Sequence, residues 1–502
     1  MFRDESTKVI QKAHAQWGTS GSPADGRQGS TSSSDTASPP SEASHSSASV
    51  SAPAAETPSS RTAALSRQVV ASKVPRRVEP TLEQRGFQFY LDRYLLNHPD
   101  SPKTVTEIAD HLSSDAAQNV MVAVGLAGMS NLLGNKSMSL VSRSKYVMAL
   151  KQVGQAIATG SNDWSHVAGP VRSIVTLAMF EVVQGKGSQM TAGSANMHIN
   201  GALALFRTVL PIKNAPNNGA RGVLQLSYAM FIPSQLTDTP LPPAFFECLK
   251  ICKNLLRGTP ETCCVDLALC IARLIQLLDK TKHTVLSDDQ PSTDDILQQL
   301  LLLESSFDEL EPRMYRAYPY TEHQGGDYPR EAVFRGKWHS YTEIWGARLW
   351  NHWRWARILL NEDVIKLMTN YPISSSRCMS PARKVQCYAV VEKMAEDTLV
   401  STPAHWHHPV LDKETSRKFE TVGKTGGGAV GLPTLLWHLV VAGCGSNVAP
   451  EFWTWAHETL LVVWKAMGMH HALSLAEYME EHRTRLQKAA LAQAPVKVEN
   501  DA

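Results

Sequence analysis

The stretch KWHSYTEIWGARLWNHWRWARILLNEDVIKLM, residues 337–368, decides which fold the sequence predicts. On a helix, one face of it collects the side chains of Trp338, Tyr341, Trp345, Leu349, Trp353 and Ala356. Arg348, Arg354 and Arg357 lie beside this face. Aromatic rings interleaved with arginine are also typical of surfaces that stack bases and hold phosphates. A single helical stripe of large rings nevertheless favours a buried seam, with arginine side chains extending from its flanks to solvent.

Helical spacing of apolar residues continues on both sides of this stretch, from Thr81 onward. Residues 87–95 place apolar side chains at i, i+3, i+4, i+7 and i+8, and four segments between 115 and 210 repeat that spacing. A polar stretch at 281–293 is predicted to be a loop. Sustained alternation of apolar and polar residues is missing from the sequence, so no sheet is expected. The predicted fold class is all-α, either a large helical bundle or a stack of helix pairs.

The composition divides the chain into four parts. Residues 1–17 are a short, charged segment with helical character, and residues 18–80 are rich in Ser, Pro and Ala and mildly basic at their end. The second segment cannot bury enough apolar surface to offset its ordering entropy, so we expect a disordered linker. Its basic end is either a solvated linker or a nuclear-import patch. Residues 81–487 are expected to form the helical domain, and residues 488–502 a flexible tail.

The charge balance limits the kinds of partner that the chain attracts. Lys and Arg number 49, and Asp and Glu number 47, so no strong overall field draws the protein to nucleic acid or to an acidic membrane. Charged residues interrupt the first ten positions, which argues against a secretory signal peptide there. The longest apolar stretch, taken as 431–445, is shorter than the roughly 20 residues that span a bilayer. No membrane contact is therefore predicted.

The cysteines offer a candidate metal site. Eight cysteines without a secretory signal indicate reduced thiols. Five of them crowd together, namely Cys248, Cys252, Cys263, Cys264 and Cys270. Zinc clusters use short C-x2-C pairs held by turns, whereas these cysteines lie in apolar segments with helical spacing. We expect core cysteines rather than a metal site.

Two further motifs invite a chemical interpretation. VGKTGGG at 422–428 lacks the first glycine of a P-loop, because Lys418 occupies that position, and no apolar strand precedes it. His405, His407 and His408 could offer imidazoles to zinc, but no third ligand motif stands nearby. Both stretches are expected to be loops. The sequence predicts no catalytic residue, no metal ligand and no cofactor site, so an enzyme is not expected.

Several motifs resemble those of one known family. Trp345, Ala347, Trp350 and Asn351, with Arg354 after them, are similar to its Trp-x-Ala-x-x-Trp-Asn helix. The other matching segments, in chain order, are MFRDES at 1–6, Gly426 to Gly428, Leu435, Leu436, Trp437, Ala442, Gly443, Met467, Gly468 and Ala472. His438 stands where the family often has proline. In this order the motifs resemble the fungal-specific transcription factor domain of the binuclear zinc-cluster regulators.

The resemblance implies a DNA-binding module that is not recognisable in this sequence. In the family, a cysteine-ligated zinc cluster precedes the MFRDES-like segment and places a helix in the major groove. Residues 1–80 contain no cysteine. We interpret the chain as a regulator that lacks the cluster and acts through partners. A gene start assigned at an internal methionine is the alternative.

The resemblance also implies a function and partners. The chain is expected to be a nuclear transcriptional regulator, with a share in the cytoplasm left open, that is pathway-specific in the manner of regulators of secondary-metabolite gene clusters. Its expected partners are other transcription factors or coregulators, in a homodimer or heterodimer, and a small-molecule effector. Contact with DNA would be indirect or weak. VKVE at 496–499 resembles a SUMO acceptor, with Lys497 as the modified residue. The alternative function is a helical interaction scaffold, derived from such a regulator, that does not bind DNA.

Overall fold

The computed structural model describes residues 79–95, 115–159, 164–185, 187–209, 217–287, 290–419 and 432–493. Within these ranges the chain is almost entirely helical, which confirms the all-α fold class. The predicted Ser-rich linker, the first seventeen residues, the glycine-rich stretch at 422–428 and Lys497 all lie outside the described residues. The compact unit that contains the helices begins at Thr81.

Most of the helices pack against their neighbours in the chain. In chain order they are α1 (Leu82–Tyr90), α2 (Asp115–Leu133), α3 (Lys136–Thr159), α4 (Trp164–Gln184), α5 (Ser188–Val209), α6 (Asn217–Thr237), α7 (Pro243–Leu255), α8 (Thr262–Ser287), α9 (Gln290–Ala317), α10 (Ile344–Asn370), α11 (Pro372–Cys378), α12 (Ala382–Val400), α13 (Thr402–His405), α14 (Lys413–Lys418), α15 (Leu432–Gly443), α16 (Pro450–Met467) and α17 (His470–Gln493). Two strands, β1 (Tyr320–Gln324) and β2 (Lys337–Tyr341), separate α9 from α10. Neighbouring helices therefore pack against each other along much of the described chain.

Local sequence signals explain where the first helix begins and how it docks. Thr81 caps α1 in a capping box, because its hydroxyl accepts from the Gln84 backbone while the Gln84 side chain accepts from the Thr81 backbone. A π-helical turn, Leu91–Leu95, continues the helix. Two glycines, Gly86 in α1 and Gly125 in α2, let the backbones approach so closely that a Cβ at Gly125 would meet the Gly86 carbonyl oxygen at 1.8 Å.

Helix α2 is more apolar than the sequence analysis recognised. Among the described residues, it is the single helix long and apolar enough to cross a bilayer, and 72% of its most apolar window is buried inside the protein. The choice of 431–445 as the longest apolar stretch was therefore wrong. Polar residues interrupt the run of apolar residues in α2, but they are hydrogen-bonded. The Asn119 side chain donates to the Gln152 side chain, and the Asn131 side chain donates to the Val183 carbonyl. The helix packs as a core element.

The first residues of the helix predicted for 337–368 form a strand of a β-hairpin instead. β1 and β2 pair in antiparallel fashion, with Tyr320 opposite Tyr341. Trp338 and Tyr341 therefore lie on a strand, and the expectation of no sheet is wrong for these few residues. Aromatic residues three positions apart fit helical spacing, but burial along β2 follows a period of two, with His339 and Tyr341 buried. The helix begins only after Glu343.

The predicted loop at 281–293 is mostly helical. α8 continues to Ser287 and α9 begins at Gln290. Thr281 and Thr293 are fully buried, although both are polar. The Thr281 hydroxyl donates to Asp363 on α10 over 2.6 Å, so its polarity serves a contact between helices rather than a solvated loop.

The end of α16 meets the first helices of the domain. Gly468 has φ +67° and caps the C-terminal end of α16 in the left-handed region, which glycine adopts without strain. The Tyr94 hydroxyl donates to the Met467 carbonyl over 2.5 Å, and Asn131 donates to the Gly468 carbonyl over 2.8 Å. A Cβ at Gly468 would lie 2.4 Å from the carbonyl oxygen of Gly128 on α2. The first helices of the domain and the end of α16 thus fix one another.

Gly125→Ala is expected to lower the free energy of unfolding by about 3 kcal/mol, because the backbones of α1 and α2 must separate to admit a methyl group. Gly154→Ala on α3 is the matched control. Its new Cβ would meet no atom within 4 Å, so the substitution should raise stability by about 0.5–1 kcal/mol through helix propensity. Urea unfolding of the two variants measures both effects, and equal stabilities would contradict the close approach.

Candidate regulatory site

Helix α10 lies at the centre of the packing and carries the predicted motif residues. It contacts α8, α9, α12 and α15 and the second strand of the hairpin. The predicted aromatic seam is buried from Tyr341 onward, whereas Trp338 is only partly buried. Its flanking arginines do not extend to solvent. Arg348, Arg354 and Arg357 are 9%, 0% and 8% exposed. The prediction of solvated arginines was wrong, because neighbouring elements cover every face of α10.

A buried polar network holds the motif residues Asn351 and Arg354. Arg354 donates from one terminal nitrogen to the Tyr341 hydroxyl over 2.9 Å and to Asn351 Oδ1 over 2.8 Å. The Ser401 hydroxyl donates to the same Asn351 oxygen over 3.0 Å. The Asn351 amide nitrogen lies 2.9 Å from His405 Nε2. The network thus joins α10 to the hairpin and to the turn between α12 and α13.

Polar groups and aromatic faces compensate the charge of Arg354. Burial by itself would lower the pKa of this guanidinium, but Tyr341, Asp397 and Tyr320 together raise it above its ordinary value. The guanidinium carbon also lies 5.2 Å from the centre of the Tyr320 ring. Arginine stays charged inside the core here because hydrogen-bond acceptors and an aromatic face surround it in fixed positions.

The tryptophans of the motif anchor α10 to neighbouring elements. The Trp350 indole donates to the Tyr318 carbonyl over 2.8 Å, just before the hairpin. The ring of Trp345 lies edge-on to Tyr228 of α6, with centroids 5.5 Å apart. Ala347 is fully buried. The motif residues therefore position α10 at the domain centre.

Three buried histidines lie on α10 or next to it. His352 of α10 lies edge-on to His438 of α15, with ring centroids 4.8 Å apart, and His405 contacts Asn351. Burial lowers the pKa of His438 to about 3 and holds the pKa values of His352 and His405 well below their usual range. Nearby Arg348 lowers the latter two pKa values further. All three rings are neutral at pH 7.

The three histidines of the AHWHHP stretch do not share one site. His405 lies on α13 and faces Asn351, whereas His408 accepts from the backbone of Val410 over 3.1 Å. His405 and His408 therefore point to different partners. This arrangement gives no support to the zinc interpretation of the stretch.

The cysteine group behaves as core packing. Cys248, Cys252, Cys263 and Cys264 are at most 2% exposed. Burial raises the pKa of Cys248 to about 11 and that of Cys252 to about 12, so these two stay as thiols, the form that does not bind zinc. The Cys252 thiol lies 3.7 Å from the Ala220 carbonyl oxygen, between α7 and α6.

A different group has the spacing of a metal site. In the described part of the chain, Glu322, His339 and Asp397 place one ligand atom each within 4.8 Å of one another. Asp397 already accepts from Lys393 over 2.7 Å, and Arg354 lowers the pKa of His339, which burial brings to about 2. The positive charges of Lys393 and Arg354 therefore already balance the carboxylates of Glu322 and Asp397. A divalent ion would add uncompensated positive charge, so the group fits an ion-pair network better than a metal.

A groove of about 1120 Å³ opens where α6, α8, α10 and α17 come together. Six carboxylate and three basic side chains line it, so its charge is net negative. Trp437 and Tyr478 form an aromatic wall, with ring centroids 5.8 Å apart. Asp363 lies at the groove on the α10 side, and burial raises its pKa to about 6. Sequence analysis missed this groove because its lining comes from segments far apart in the chain.

Comparison with known proteins identifies one family. A sequence model described as "Fungal specific transcription factor domain" matches residues 93–345, about half of the chain. The match ends at Trp345, so the other motif residues of α10 lie just beyond it. No curated protein and no solved structure matches the chain.

Acid is expected to destabilise the protein through its neutral buried histidines. An unfolded histidine binds a proton below pH 6.5, whereas folded His438 does so only near pH 3, so stability is lost as pH falls through that window. His438→Gln should reduce the slope of stability against pH by about 1.4 kcal/mol per pH unit between pH 6 and 4. Urea unfolding at several pH values tests this. The exposed His283→Gln should leave the slope unchanged, and equal slopes for all three proteins would refute the expectation.

Arg354→Met should lower the free energy of unfolding by about 3–5 kcal/mol, because it leaves Asn351 and the Tyr341 hydroxyl without their buried donor. Arg330→Met is the control, since the Arg330 side chain is 94% exposed and its loss should change stability by less than about 0.5 kcal/mol. Thermal unfolding of both variants measures the difference. A mild effect of Arg354→Met would show that the network is not essential.

Proposed function

The chain belongs to the fungal-specific transcription factor domain family, and from this premise we propose that it regulates transcription through its all-helical domain. The family match over half of the sequence is the observation that carries the proposal. Membership supports a regulator rather than an enzyme and implies a nuclear role. The finer proposal is that the protein is pathway-specific and controls genes of the kind found in secondary-metabolite clusters.

The buried motif supports a regulatory rather than a catalytic use of α10. Asn351, Arg354 and Trp350 are fully enclosed and bond to the hairpin and to the α12–α13 turn. Side chains that are packed in this way set the relative positions of helices. A change at one surface of the domain can therefore reach another surface through α10, which is what a regulatory domain requires.

The proposed action on DNA is indirect. Lys and Arg exceed Asp and Glu by two in the whole chain, which is too little for strong sequence-independent attraction to phosphate. We infer that other transcription factors or coregulators bring the domain to its genes, in a homodimer or heterodimer. A small-molecule effector is part of the proposal, and the groove beside Trp437 and Tyr478 supports it because helices distant in sequence bound it.

The proposal is tested by transcript measurements in cells with and without the gene. Deletion should change transcripts of a defined gene set at least several-fold, and re-expression should restore them. In a second arm, the full chain is fused to a DNA-binding module of known specificity and assayed with a matching reporter. The fusion should change reporter output, and Arg330→Met should behave as the parent does. Unchanged transcripts together with a silent reporter would overturn the proposal in favour of an interaction scaffold.

A further inference from the structure

Arg348 differs from the other buried arginines of α10. Arg354 donates to Tyr341 and Asn351, and Arg357 pairs with Asp308. Arg348 makes no ion pair or hydrogen bond in the described part of the chain, and its Nε is completely buried without a partner. Arg348 as a whole residue keeps 9% of its surface accessible, so protein atoms do not enclose it completely.

The surroundings of Arg348 contain donors but no balancing carboxylate. His352 lies one helical turn further along α10, and its Nδ1 is buried without a partner. His405 Nε2 of α13 lies 2.9 Å from the Asn351 amide nitrogen, and His438 of α15 lies edge-on to the His352 ring, with centroids 4.8 Å apart. Each neutral imidazole carries one N–H that can donate. Three imidazoles from α10, α13 and α15 therefore contact residues 351 and 352 of α10, about one turn after Arg348.

This combination is unfavourable without a ligand. A guanidinium remains charged in proteins, and a buried charge without a counter-ion costs several kcal/mol of folding free energy. A neighbouring carboxylate is the common solution, as Arg357 shows with Asp308. No such group stands beside Arg348 among the described residues. Unpaired cationic and N–H donors in a buried position are what an oxyanion needs, because two parallel N–H groups of arginine fit a carboxylate or a phosphate.

We propose that Arg348, with His352, His405 and His438, forms an internal binding site for a small oxyanion, the carboxylate or phosphate head of a metabolite. The bound anion would bridge α10, α13 and α15. It would neutralise Arg348 and accept from the imidazole N–H groups. The site differs from the groove beside Trp437, whose lining is net negative. Binding does not depend on the proposed function, but the role of the anion as an effector rests on it.

The binding test measures thermal unfolding of the purified full chain in sodium phosphate, in sodium acetate and in sodium chloride at equal ionic strength. Phosphate, acetate or both should raise the melting temperature by about 2–4 °C beyond the chloride control. A response to phosphate alone identifies a phosphate head, and a response to acetate alone identifies a carboxylate. No rise above the chloride control for either anion would overturn the proposal.

Arg348→Met should remove the response to the anion. Because it also removes an unpaired buried charge, it should leave the melting temperature without anion equal to or above that of the parent. Arg357→Met is the matched control on the same helix. It breaks the pair with Asp308, so its melting temperature should fall while its response to the anion persists. A response that survives in Arg348→Met would place the anion elsewhere and refute the site.

Arg348→Lys provides a second variant in case Arg348→Met does not fold. Lysine keeps the charge but lacks the paired N–H groups, so the anion concentration for half-maximal response should rise about tenfold. An unchanged response would count against recognition by Arg348.

The reporter fusion separates this proposal from the general function. If the parent fusion changes reporter output and Arg348→Met alters that output while Arg357→Met does not, the anion site has a regulatory role. Equal outputs from the parent and Arg348→Met would overturn that role. A silent parent fusion would instead refute the general function and leave the binding result standing.

Discussion

The buried guanidinium of Arg354 fixes helix α10, and the packing of the domain centre depends on it. A charge in this position is stable only while Tyr341 on the hairpin and Asn351 on α10 stay within hydrogen-bond distance. Asn351 in turn holds Ser401 and His405, which position α13. One hydrogen-bond network therefore fixes the positions of the hairpin, α10 and the α12–α13 turn relative to one another. The small sheet matters for this reason despite its size.

The same helix shows two ways of burying arginine. Arg354 is compensated by polar groups of the protein, whereas Arg348, one and a half turns earlier, faces neutral histidines. The first arrangement gives rigidity, and the second leaves a place that a negatively charged ligand can complete. Both arginines lie on α10, and the same helix borders the negatively charged groove through Asp363. Ligand binding and helix position can therefore be linked through one element in a regulator of this family.

Much of the fold could be predicted from the sequence, and the errors have physical causes. The aromatic seam was predicted to be buried because large rings at helical spacing need an apolar partner. The hairpin was missed because Trp338 and Tyr341, three positions apart, fit helical spacing, although as strand residues they lie on opposite faces of β2. The arginines were assigned to solvent because a single helix has a free face, and α10 has none. Five cysteines were assigned to the core, and four of them are buried, whereas Cys270 is partly exposed.

The sequence by itself determined the helical class, the family and the burial of the aromatic residues of α10, because periodicity and short motifs are local properties of the chain. The tertiary structure decided which charges are compensated. Arg348 and Arg354 look equivalent in the sequence, and they differ because the hairpin supplies acceptors to one, while α13 and α15 bring histidines to the other. A residue's partners come from segments distant in the chain, so burial and charge balance could be read only after those segments had been placed in space.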